Sequence, residues 1–172
     1  SLKPLPSCKA HVGFWGDERL SLVSNQDSGG WGARTGQGTP ETLAIAVPRT
    51  GALDVTFGRT VAEATPGRLL LMNNIEPERV SVRAAPHRSD TLSLSWTILA
   101  QTVASVLETP LIGSLDLVPV VDRSTAAGQL IGNLAQTMII GMRNNGPLLQ
   151  SPIAMLNLMQ MYFERSDPVN FG

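Results

Sequence analysis

The sequence predicts an α+β chain, with a small antiparallel β-barrel or jelly roll in the first half and a helical region in the second. Three observations carry this expectation. Across residues 19–96, short stretches with an apolar residue at every second position are separated by Pro and Gly. From Thr97 onward the apolar spacing changes to three and four. Strands come first and helices last instead of alternating, which separates α+β from α/β. The boundaries that follow are residues 1–96 for the barrel with an irregular N-terminal arm, and 97–172 for the helical region, within one structural domain.

Residues 1–18 read as the irregular arm, interrupted by Pro4, Pro6, Gly13 and Gly16, with Phe14 and Trp15 expected as a lid or edge on the barrel. Residues 19–24 alternate, with Leu20 and Leu22 inward. Residues 25–30 read as a turn and 31–35 as a second strand, and the following glycine-rich GQGTP lacks phosphate-loop spacing. The most informative stretch is 41–72. Leu43, Ile45 and Val47 alternate there with Thr42, Ala44 and Ala46, as a half-buried strand requires. Pro48-Arg49-Thr50-Gly51 is expected to break that strand, because Pro has no backbone donor and Gly accepts positive φ. Alternation resumes at Leu53, Val55 and Phe57. Gly58 turns the chain into a strand at Thr60–Ala64, and Pro66-Gly67 turns it again into residues 69–72. Val80 and Val82 mark a further strand, 86–90 reads as a loop, and Leu92, Leu94 and Trp96 share one face of the last strand.

Ile98, Leu99, Val103, Val106 and Leu107 then fit a short helix over 97–107. Pro110, Gly113 and Pro119 mark an irregular connection through residue 123. Ser124 or Thr125 can cap a helix over 125–143, whose stripe is Leu130, Ile131, Leu134, Met138 and Met142, with Ile139 beside it. Asn144-Asn145-Gly146-Pro147 ends it, and Ser151-Pro152 starts another over 151–164. That last helix is apolar on more than one face and must bury two surfaces. A second subunit can cover one of them, or the helix can be sandwiched between the barrel and the 125–143 helix. The first alternative gives a homodimer with Leu134, Met138, Met155, Leu158, Met159 and Tyr162 at its interface.

Composition narrows the function classes. The chain has 172 residues, a formal net charge of −1 and no basic excess, which disfavours direct DNA binding by these residues. The single cysteine, Cys8, leaves no intramolecular disulfide and suits a reducing cytoplasm. The N-terminal residues lack an apolar signal-peptide core, and no run reaches the roughly 18 apolar residues of a membrane helix. A soluble cytoplasmic protein with no membrane partner is expected.

The order of these signals resembles a known family. A strand ending near Arg49-Thr50-Gly51, then Gly58-Arg59, then Pro66-Gly67 before an apolar strand, is similar to the N-terminal cupin-like domain of AraC-type transcription regulators. A late strand running into Trp96-Thr97-Ile98-Leu99 and two closing helices match that domain's order too, so the likeness covers roughly residues 19–164. The resemblance implies a cupin-like barrel that binds a small-molecule effector, with closing helices that pair two subunits. It also implies DNA binding only through a separate C-terminal domain with two helix-turn-helix motifs, which is expected to lie outside these residues.

Candidate site residues follow. Arg49 shares parity with Leu43, Ile45 and Val47 and would point into the barrel if the strand continued; the resemblance gives an arginine at this turn a role in contacting the effector. Its alternative is a solvated turn. Trp31 and Arg34 flank the second strand near the barrel mouth, as an aromatic wall with one charge. The alternative puts Trp31 on the edge and Arg34 in water. Trp96 is a ligand contact or part of the core. His11 and His87 are the only histidines and are expected as surface groups, so no metal or cofactor is expected. No nucleophile elbow or telling Ser/His/Asp order is present, so an enzyme is not expected. The rival readings are a small cupin enzyme (isomerase or dioxygenase) and a dimerisation module whose barrel is filled by its own side chains.

Overall fold

A computed structural model of the chain describes residues 9–34, 40–110 and 117–144. Among these, eight strands form one antiparallel sheet and two helices pack on it. The strands are β1 (Ala10–Gly16), β2 (Leu20–Asp27), β3 (Trp31–Arg34), β4 (Thr42–Phe57), β5 (Thr60–Ala64), β6 (Arg68–Asn73), β7 (Arg79–Ser95) and β8 (Val120–Asp122). The helices are α1 (Trp96–Leu107) and α2 (Ala126–Arg143). The sheet order is β1-β2-β7-β4-β6-β8, with β3 also on β7 and β5 also on β4.

Two long strands organise everything else. β4 and β7 pair from Thr42 with Ser95 to Thr56 with Arg79. Each has different neighbours at its two ends: β7 carries β2 beside residues 87–94 and β3 beside 79–82, while β4 carries β6 beside 43–46 and β5 beside 53–57. Between the two halves the β4–β7 register slips at Pro48/Thr50, Thr50/Ala52 and Ala52/Leu53. Extra residues of this kind bend a strand and tighten its twist. Gly51, at φ 77°, takes the left-handed conformation that the bend needs. The sheet therefore rolls over, and the facing sides of its halves meet in one cluster: Ala44, Ala46, Leu70 and Met72 from one, Leu53, Val55, Ala62 and Val82 from the other.

The opposite side of the sheet lies under the helices. Leu22, Leu43, Ile45, Val47, Leu92 and Leu94 pack there with Leu99 and Val103 of α1 and Ile131, Met138, Ile139 and Met142 of α2. The Thr125 hydroxyl accepts from the Gly128 backbone N–H at 3.0 Å and caps α2. A Cβ at Gly128 would lie 1.9 Å from the Asp122 carbonyl oxygen, so only glycine lets the helix start this close to the end of β8.

Several expectations change. The break at 48–51 is a bend inside a continuous strand, because Pro48 falls at a register slip where a missing donor is tolerated. The loop at 86–90 is part of β7, since residues 87–90 pair with β2 on one side and 88–90 with β4 on the other. Residues 10–16 of the irregular arm form the edge strand β1, and the irregular connection contains β8, which returns to the sheet beside β6. Trp96 opens α1 instead of ending a strand. Met138 is 1% exposed and packed in the chain's own core, so it has no surface to offer a second subunit; Leu134 is half-buried. The 151–164 helix, with Met155, Leu158, Met159 and Tyr162, lies outside the described residues. Among the described residues, no helix is long and apolar enough to cross a membrane.

Candidate functional site

Alternation gives the sheet two unlike sides. On β4, β7 and β2 the helix-facing positions are large: Leu43, Ile45, Leu92, Leu94 and Leu22. The inward positions between them are small or polar: Ala44 and Ala46, Thr91 and Ser93, Ser21. Thr91, Ser93 and Ser21 are half-buried, whereas Leu92 and Leu22 are fully sealed. On the inward side Ala44 and Ala46 are sealed in the interior cluster with Leu53, Leu70 and Met72, while Thr91, Ser93 and Ser21 keep part of their contact with solvent.

One end of that side is polar and buried. Asp27 of β2 and His87 of β7 are direct cross-strand partners, and both have the inward parity of Thr91 and Ser93. Asp27 is 3% exposed, His87 1% and Ser89 4%. His87 Nε2 lies 2.9 Å from the Ser89 hydroxyl, while His87 Nδ1 and Asp27 Oδ2 have no hydrogen-bond partner. Burial pushes the His87 imidazole below its ordinary pKa, against smaller opposing effects of the Asp27 carboxylate and the Thr50 backbone. Trp31, further along β7 on β3, packs against the interior cluster with its indole N–H also unpartnered.

The helix-facing side handles charge differently. Asp90, 2% exposed, accepts from the Ser24 hydroxyl at 2.5 Å and from Arg49 Nε at 3.0 Å. It also pairs with Arg143 at the end of α2, whose guanidinium lies 5.7 Å from the Trp15 ring centroid. Four elements, β2, β4, β7 and α2, thus converge on one carboxylate.

The expected site residues do not all meet. Trp31 alone faces the interior. Arg49 keeps the parity expected of it, but that parity points under the helices, where Asp90 holds it. Arg34 is exposed and takes the outward parity of Gly32, opposite Trp31, because three residues along a strand is an odd step. Trp96 packs on the helix-side core. His11 is exposed on β1, but His87 is buried, contrary to the surface position expected for it. Asp27, His87 and Ser89 were not legible as a group, because Pro86 reads as the start of a loop and hides their common parity. Among the described residues, no group of three or more His, Cys, Asp or Glu could hold a metal ion.

No family model matches the sequence, and no curated protein matches it. Solved structures match in fold. The AraC-like transcriptional activator CuxR is similar with a TM-score of 0.61 at 17% identity, over 90% of this chain and 54% of that one. An apo form of ToxT from Vibrio cholerae is similar with a TM-score of 0.52 at 8% identity, over 87% of this chain and 54% of that one. The chain therefore spans about half the length of each of these proteins, and it has the fold that an AraC-like transcriptional activator carries in that half.

Proposed function

We propose that this chain is the effector-sensing and dimerisation part of a cytoplasmic transcription regulator that contacts DNA through a domain outside these residues. The observation that carries the reading is the set of buried, unpartnered polar atoms on the interior side, Asp27 Oδ2, His87 Nδ1 and the Trp31 indole N–H, beside the half-buried Thr91, Ser93 and Ser21. An interior of that kind suits a small-molecule effector, which would supply the missing partners. The Asp90 cluster ties the end of α2 to the bend in β4, so an occupant that favours one shape of the bend favours one position of the helix. The helical region pairs two subunits in this reading, with the half-buried Leu134 and the exposed Ile140 of α2 available to it.

The test is a thermal-shift screen of the chain against small acids, amines, sugars and aromatics, beside the Ala46→Leu variant. Ala46 is 1% exposed on the interior face. A sensor gains melting temperature with at least one compound class and loses that gain when the larger side chain fills the interior. If no class stabilises the chain and Ala46→Leu destabilises it by roughly 1–3 kcal/mol, as overpacking does, the interior is filled by its own residues and the sensing reading falls. Sedimentation of the chain across a concentration series tests the dimer, and a monomer throughout would remove that half of the proposal.

A further inference from the structure

We propose that the interior site takes a ligand carrying a cationic nitrogen, an ammonium or amidinium group, seated against Asp27. The inference rests on the interior being the effector site and adds the chemical class of the effector.

Among the described residues, Asp27 is the one fully buried carboxylate on the inward side of the sheet; the other buried carboxylate, Asp90, lies under the helices. No Lys or Arg among the described residues forms an ion pair with Asp27, although ion pairs at Asp17, Asp54, Glu63 and Asp90 consume arginines elsewhere. Its cross-strand neighbour, His87, is the natural candidate to neutralise it. Burial holds that imidazole toward its uncharged form, and no hydrogen bond joins the two side chains. Among the described residues, Asp27 Oδ2 is therefore a buried, acceptor-only oxygen with no donor and no Lys or Arg paired with it.

A buried charge in that condition is costly unless something pairs with it and hydrogen-bonds it at once. A cationic nitrogen does both, through charge-assisted N–H bonds to the carboxylate. A neutral hydroxyl supplies a donor but leaves the charge. An anion supplies neither and meets repulsion, and the arginines that could reverse this, Arg49 and Arg143, are on the other side of the sheet with Asp90. The apolar side chains of the interior cluster, Leu53, Leu70 and Met72 beside the alanines and valines, then suit the carbon skeleton attached to that nitrogen.

Three probes of equal carbon count separate these chemistries: pentylamine, 1-pentanol and pentanoate, each titrated into the full chain near pH 7.5. The readouts are melting temperature and the ring-nitrogen resonances of the two histidines. The amine is expected to raise the melting temperature, to move the His87 resonances, and to leave those of the exposed His11 in place. In Asp27→Asn, amine affinity is expected to fall about ten- to a hundredfold, the size of a lost charge-assisted hydrogen bond, with pentanol affected little. If the Asn variant does not fold, competition among the three probes on the unaltered chain, read at His87, decides the same question. Pentanol or pentanoate binding as tightly as the amine overturns the cationic class while leaving the interior as a container. No response to any of the three also overturns it, and the broader screen with Ala46→Leu then judges the container separately.

Discussion

Asp90 and Asp27 sit on neighbouring paired strands, both almost sealed from water, and the protein treats them in opposite ways. Asp90 gathers a hydroxyl and two guanidinium groups from three other elements. Asp27 has a carboxylate oxygen with no donor. Under the helices the buried carboxylate is paired through both oxygens, whereas the interior one keeps an oxygen without a donor.

The largest expected difference is in truncation. Leu92→Ala empties a fully buried position under the helices and is expected to lower unfolding free energy by about 3 kcal/mol in urea titrations. Thr91→Ala, one residue along and on the inward side, is expected to stay below about 1 kcal/mol. A similar loss at both positions would erase the distinction between the sides.

The two carboxylates give a sharper test, because one substitution should change sign between them. Asp90→Asn weakens the bonds to Arg49 and Arg143 and is expected to destabilise by about 2 kcal/mol; both arginine side chains keep part of their exposure to water, which limits the loss. Asp27→Asn removes an uncompensated buried charge and is expected to stabilise the unliganded chain by about 1 kcal/mol. Destabilisation in both would mean that Asp27 has a partner after all.

A smaller effect comes from pH. His87 resists protonation when folded, whereas the unfolded chain takes that proton near the ordinary value of 6.5. The unfolded state then binds more protons, so stability contributed by the neutral ring is fully present above pH 6.5. It is lost as pH falls from there to the depressed folded value. Urea midpoints of the chain and of His87→Gln should diverge over that interval, and parallel curves would assign the pH response to other groups.

Much of the scaffold was legible. The period of two through Leu43, Ile45 and Val47 locates the first half of β4, and the change of spacing after Thr97 and the Thr125 cap locate α1 and α2 close to their observed bounds. Parity, however, says which residues share a side and not which side the helices cover. That is why Arg49 was expected in the interior and lies outside it. Local punctuation misled at Pro48 and Pro86, where tertiary pairing carries two strands through residues that break strands in isolation. The Asp90–Arg143 contact joins residues 53 apart and leaves no local trace at all. Asp27 and His87 escaped for the same reason, since their meeting depends on pairing across the sheet.

The short run from His87 to Asp90 has a consequence of its own. Alternate residues of this single ribbon project to opposite compartments, His87 and Ser89 to one, Asp90 to the other. In the proposed sensor, an occupant that shifted the first pair would act on the anchor of the helix through the backbone they share.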